Sequence, residues 1–285
     1  MTDRGTIVVA TSIPPALSRL DAGKESGAAY QRLCINSWLD CGFRVLSVND
    51  RSEIAKLAPL HPNVTFVPTD RNASAFTGRN NPFVADLLGA LLDTAAPVLG
   101  IVNSDILFEP TSLWEKQLPG MVGHSVVSLQ RYDTHSLNDG ALRRFYWGYD
   151  VFFFDRPMAL AMADSAGPFA MGMPWWDYWV PAATVFARRR FQIVGRPLAL
   201  HLVYPRGYDD GSTATFETAF AEFVVSAAAK WSDPLSSDLT GLVRLCREWL
   251  DRKNENKKDL LFSGQTFETF AESIAPWHRA LLENI

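Results

Sequence analysis

The segment VLGIVNSDILF sets a polar triplet, Asn103-Ser104-Asp105, between two apolar runs. A carboxylate at the end of a buried strand is a costly place for an unpaired charge. A metal cation or a hydrogen-bond network would relieve that cost. A turn cap is the plainer alternative, because Asn and Asp readily bond their own backbone two residues on. Similar polar pairs close the other apolar runs: Thr11 with Ser12, Asn49 with Asp50, and Asp70 with Arg71. Farther on, GPFAMGMPWWDYWVP surrounds Asp177 with Trp175, Trp176, Tyr178 and Trp179, and Trp147 lies upstream. Indole faces cover the apolar face of a sugar ring while polar neighbours take its hydroxyls. The same rings serve equally as ordinary core. Asp177 argues for a role, since a charge buried among such rings without one is expensive.

The elements that would position these groups follow from periodicity. Apolar, β-branched runs at 6–10, 43–48, 64–68, 98–102 and 125–129 predict strands. Between them, Leu33, Ser37, Trp38 and Cys41 recur at helical spacing over 30–41, and Gly42 stops that helix. Pro82 suits a first helical turn, and Phe83, Leu87, Leu88, Leu91 and Leu92 form a stripe over 82–95. Strands alternating with helices imply a mostly parallel sheet with helices on both faces. Ligands in such sheets bind beyond the carboxyl ends of the strands, where the polar pairs fall. A further strand is expected at 149–154, a helix at 182–190 and a strand at 198–204. Amphipathic helices follow at 213–231, 239–252 and 266–284.

Composition narrows the class. The 285 residues carry 27 basic and 31 acidic side chains, a net charge of −4 that argues against a general nucleic-acid binder. Three cysteines, Cys34, Cys41 and Cys246, show neither zinc-ribbon nor redox spacing and read as buried thiols in a reducing compartment. Residues 1–5 lead straight into TIVVA with no basic-then-apolar leader, and no apolar run approaches the ~18–20 residues that span a bilayer. The expectation is a soluble, cytoplasmic protein. The mixed charges of 239–252 favour packing on the main domain over lying on a membrane surface, although peripheral contact stays open.

Gly78-Arg79-Asn80, then a helix, then a strand ending in Asn103-Ser104-Asp105, resembles the GT-A superfamily of nucleotide-sugar glycosyltransferases. Many members carry an Ala-Arg-Asn-like segment before a helix and a following strand that ends in an Asp-x-Asp motif holding a divalent cation. Asn103 stands at the first acidic position, which leaves Asp105 as the stronger ligand. FAMGMPWWDYWVP resembles the acceptor-side segment of these enzymes, with Asp177 at the position of the base. PLALHLVYPRGYD resembles the strand whose histidine, here His201, closes the metal or diphosphate site. Taken alone, His201 reads more readily as a satisfied core histidine than as a ligand. The likeness runs over residues 6–208. It implies an α/β, GT-A-like domain at 1–211 with a mostly parallel sheet flanked by helices, and a helical extension at 212–285 packed on it.

The resemblance also implies a reaction: transfer of a hexosyl-type unit from a nucleoside diphosphate sugar to an acceptor hydroxyl, with glycan, lipid-linked and protein acceptors all open. Mn²⁺ or Mg²⁺ on Asp105 and His201 would stabilise the departing diphosphate, and Arg79 would pair with a phosphate or a carboxylate. Thr11, Ser12, Asn49, Asp50, Asp70, Asn80, Asn103 and Ser104 would complete the donor side. Trp147, Asp150, Trp175 and Trp176 would form the acceptor side, Asp150 being as readily a backbone-binding residue. Asp177 would take the acceptor proton, with its pKa raised by the indoles, and a base at that position points to direct displacement with inversion of the anomeric carbon, retention staying open. A sugar nucleotidyltransferase is a rival, but SIPPALSRLDAGK puts Pro14-Pro15 where its glycine-rich phosphate loop would lie. An inactive nucleotide- or carbohydrate-binding module is the other, and Asn103 keeps it alive.

Overall fold

The structure, a computed structural model, describes residues 7–21, 23–138, 141–146, 148–204 and 210–254. The expected helix at 266–284 and Trp147 lie outside them. The first half alternates as its periodicity predicts. Strand β1 (Ile7–Thr11) is followed by a short hairpin, β2 (Leu20–Asp21) and β3 (Lys24–Glu25), and by helix α1 (Gly27–Asp40). Then come β4 (Arg44–Asn49), α2 (Arg51–Leu57), β5 (Thr65–Pro68), α3 (Ser74–Thr77), α4 (Val84–Leu92), β6 (Val98–Val102) and β7 (Ile106–Phe108). The second half holds α5 (Leu113–Lys116), α6 (Leu118–Val122), β8 (Ser125–Thr134), β9 (Arg143–Arg144), β10 (Val151–Phe154), α7 (Arg156–Ala163), α8 (Trp176–Phe186) and β11 (Arg190–Leu202). Helices α9 (Asp210–Ala229) and α10 (Ser237–Asn254) end the described chain.

The described strands form one nine-stranded sheet in the order β5-β4-β1-β6-β10-β8-β11-β7, with β9 beside β8, and a separate β2–β3 pair. Strands β5, β4, β1 and β6 run parallel, the arrangement that helical crossovers require. Beyond β6 the sheet turns mixed. Strand β10 is antiparallel to both β6 and β8, β11 is parallel to β8, and β7 is antiparallel to β11.

Strands β1 and β6 are buried along their whole length, as parallel strands covered on both faces must be. Val8, Ala10, Leu99 and Ile101 face a core built with Leu87, Leu88 and Leu91 of α4. Ile7, Val9, Val98 and Val102 face the other, built with Tyr30, Cys34 and Trp38 of α1. The C-terminal helices join the first core through Phe216, Phe220, Val224, Leu242 and Cys246. Among these apolar groups α9 also buries Glu217, 1% exposed, whose Oε1 has no hydrogen-bond partner. Desolvation alone raises the Glu217 carboxyl to about 8.

Strand β8 runs past its predicted end at 129 to Thr134, and two elements start early. Helix α8 starts at Trp176, six residues before the predicted start, with Pro181 inside it. A proline reads as a helix start because it lacks the N–H that an interior position donates. Here it falls in the second turn, and Trp175, in left-handed conformation at φ 77°, makes the entry. Strand β11 starts at Arg190 instead of 198, because the Gly195-Arg196-Pro197 break lies inside a bulge: Val194 pairs with Leu129, and the next pair is Ala199 with Arg131.

Candidate functional site

The register of the sheet brings polar groups from distant stretches together. His201 of β11 stands opposite Ile106 of β7 on one side and Asp133 of β8 on the other. Asp105, one residue ahead of β7, therefore meets it: His201 Nε2 lies 3.4 Å from Asp105 Oδ2, and His201 Nδ1 lies 3.1 Å from Asp133 Oδ1. Arg131 donates to Asp133 (Nε to Oδ1, 2.8 Å) and to Asp150 (Nη1 to Oδ2, 2.9 Å). Asp150 Oδ1 accepts from Asn103 Nδ2, and the Asn103 N–H donates to the Asp150 carbonyl at 2.9 Å. At the other end Arg19 Nη2 donates to Asp105 Oδ2. Tyr30 fixes the geometry from α1, its hydroxyl donating to the Asp105 carbonyl (2.8 Å) and accepting from the Leu202 N–H (2.9 Å).

The result is a buried ladder of alternating charge: Arg19, Asp105, His201, Asp133, Arg131, Asp150. Burial alone would raise the Asp105 carboxyl. The hydrogen bond and charge of His201, with Arg19, outweigh burial and hold Asp105 well below the usual carboxylate range. Asp133 is lowered in the same way, against burial, by His201 and Arg131. His201 is raised: burial disfavours its charge, but hydrogen bonds to Asp105 and Asp133 prevail. Arg131 is raised too, the charge of Asp150 overcoming burial. With the imidazole protonated the ladder is neutral, which is how so many charges are accommodated out of water.

A divalent cation here would need an accessible Asp105 carboxylate and a neutral His201 nitrogen. Asp105 Oδ2 instead faces a guanidinium and an imidazole, and both His201 nitrogens face carboxylates. As they stand these side chains do not fit a metal ion. Among the described residues no group of three or more His, Cys, Asp or Glu is disposed to hold one.

The other predicted positions divide. Thr11 is fully buried at the end of β1, with no hydrogen-bond partner for its Oγ1. Ser12 and Ser104 are half-buried beside their strand ends. Asn49 spends its side chain bracing the turn after β1, donating to the Ile13 carbonyl (2.9 Å), Glu53 Oε2 (3.0 Å) and Ser12 Oγ (3.4 Å). Asp50 caps α2 by accepting from the Ser52 N–H and hydroxyl. Asp70 pairs with Arg51 on the surface. Arg79 and Asn80 lie exposed in the turn between α3 and α4, and the arginines of the ladder are Arg19 and Arg131.

Trp175 and Trp176 are a correction. Both are buried, Trp175 against Phe220 and Tyr178 and Trp176 edge-on to Phe152, so neither offers a free face to a sugar. The early start of α8 turns them into the core and leaves Asp177 half-buried in its first turn. Asp177 Oδ2 accepts from the Tyr149 N–H at 3.2 Å, beside a small pocket whose lining includes Gln130, Phe145, Gly148, Tyr149 and Ile193. Gly148, at φ 86°, passes so close that a Cβ there would overlap Asp177 Oδ2.

Arg19, Arg131 and Asp133 were not expected from the sequence. Arg131-x-Asp133 carries a faint signal, since both point to one face if the strand continues past 129. Arg19 carries none.

No family model matches the chain, and no curated protein does. Solved structures do. S. aureus TarS 1-349 in complex with UDP-GlcNAc superposes with a TM-score of 0.56 at 10% identity, over 97% of this chain and 83% of that one. TarS 1-349 alone gives 0.52 at 11% identity, over 97% and 82%. The likeness shows a GT-A-type fold, a large mixed sheet flanked by helices, with further helices after it in the chain. No described helix is long and apolar enough to cross a membrane.

Proposed function

We propose that this protein transfers a hexosyl unit from a nucleoside diphosphate sugar to an acceptor hydroxyl. The observation that carries the reading is the convergence of Asp105, His201, Asp133, Arg131 and Asp150 at the strand ends of a fold that TarS shares in complex with UDP-GlcNAc. The donor lies across the ends of β1, β4 and β6, where open α/β sheets bind their ligands. Asp177 is the base. The acceptor oxygen bonds to the anomeric carbon as the bond to the diphosphate breaks; the electron pair leaves with the diphosphate, and the hydroxyl proton passes to Asp177. Displacement from the opposite face inverts that carbon. Catalysis belongs to 1–211, with 212–285 as an extension whose described helices α9 and α10 pack on the first core, and the three buried free thiols suit a reducing compartment.

The test is a thermal-shift screen of nucleoside diphosphates, followed by donor turnover in wild type and Asp177→Asn. A bound nucleotide raises the melting temperature by mass action. Asp177→Asn should bind donor as wild type does and lose at least ~100-fold in transfer, the scale of a general base. Normal turnover by that variant removes the base assignment, and binding without turnover in wild type favours the inactive module.

A further inference from the structure

A departing diphosphate needs positive charge near its oxygens, and on this fold the expected source was a cation at Asp105. Arg19 already occupies that corner. It is not a passing surface side chain: it is 5% exposed, and its guanidinium lies 3.5 Å over the Tyr204 ring while Nη1 donates to the Ser18 carbonyl at 2.7 Å. Its backbone is clamped as well. The Arg19 N–H donates to Glu25 Oε1 (3.2 Å), and its carbonyl accepts from the Ser26 N–H (2.8 Å). Glu25 is pinned in turn by the Ser18 hydroxyl (2.6 Å) and the Gly27 N–H (2.8 Å). The β2–β3 hairpin joins these groups. Of the guanidinium's five N–H groups, two are spent on Ser18 and Asp105, and Nε is buried without a partner.

We propose that Arg19 takes the place of the divalent cation: a fixed guanidinium that neutralises Asp105, keeps metal ions out of this corner and meets the charge of the leaving diphosphate. The last clause rests on the donor reading above; the first two do not. A guanidinium suits the task because its planar fork stays charged at every working pH and is ordered before the ligand arrives. Asn103 fits the same scheme. With a permanent protein cation at Asp105, a second carboxylate would be a surplus negative charge, and the amide instead donates to Asp150.

The test is Mn²⁺ titration followed by electron paramagnetic resonance on the full chain without nucleotide, in wild type, Arg19→Met and Arg19→Lys. Wild type and Arg19→Lys should bind no stoichiometric Mn²⁺. Arg19→Met should bind it at least ~10-fold more tightly than wild type, because removing a like charge a few ångströms away relieves repulsion. Stoichiometric Mn²⁺ on wild type that Asp105→Asn abolishes would overturn the proposal, and so would an Arg19→Met protein that folds yet stays as blind to Mn²⁺ as wild type. The wild-type arm decides even if Arg19→Met does not fold. In a separate arm, UDP binding by calorimetry should be unchanged by EDTA and weakened by Arg19→Met. UDP that binds only with added metal refutes the substitution, whereas UDP that never binds removes the donor reading and leaves the metal result standing.

Discussion

Glu217 should make this protein less stable as the pH rises, and Glu217→Gln should remove the effect. Glu217 is buried on α9, whose Phe216, Phe220 and Val224 belong to the first core; its Oε1 has no partner, and its pKa is raised from 4.5 to about 8 by desolvation. Below about pH 4.5 both folded and unfolded chains hold the proton, and the site costs nothing extra. Between about 4.5 and 8 the unfolded chain releases its proton while the folded chain keeps it, so rising pH favours unfolding. Each pKa unit is worth about 1.4 kcal/mol. At pH 7 the wild type therefore carries a penalty on the order of 3 kcal/mol, which levels off above pH 8. Glutamine keeps the shape and drops the ionisation. Urea unfolding of both proteins at pH 5, 7 and 9 should show similar stability at pH 5 and a widening advantage for Glu217→Gln above it. A difference that stays constant across the series, or that favours wild type at pH 9, would refute the reasoning.

Tyr30→Phe should cost about 1–3 kcal/mol, because it strands the buried Leu202 N–H and frees the Asp105 carbonyl; chemical denaturation against wild type checks it. Gly148→Ala should destabilise by about 1–2 kcal/mol from its left-handed φ alone. It should also displace Asp177, so transfer should fall further than the stability loss explains, as read from kcat at a temperature where the variant stays folded. His201 should titrate above the ordinary histidine value of about 6.5. Its contribution to stability is then complete below about pH 6.5 and is lost as pH rises through the folded pKa; imidazole resonances followed by NMR give that value directly.

Much of the frame was legible because local and global signals agree there. The strand at 98–102 has the predicted bounds, and the apolar stripe of α4 lies on the core as its spacing requires. The meeting of Asp105 and His201 was also expected, from the resemblance. What was hidden is long-range. Gln130-Arg131-Tyr132-Asp133 reads as a polar turn, yet β8 continues through it because β11 and β9 pair with it on either side. Arg19 follows a proline-containing stretch with no periodicity, and only the hairpin closure carries its guanidinium to a residue 86 positions away. The tryptophans misled for a different reason: an aromatic run looks the same whether it lines a cleft or fills a core, and the first turn of α8 decides which.

The kink in β11 also sets a constraint that no single side chain reveals. Five steps along β11, from Val194 to Ala199, cover the two steps from Leu129 to Arg131 on its neighbour, and only that offset puts the imidazole beside Asp133. Adding or deleting one residue at 195–198 would leave every polar group in the sequence yet bring Leu200 or Leu202 alongside Asp133, with the imidazole thrown to the far side of the sheet. Spelling within that segment should therefore be free to drift, while its letter count is held fixed.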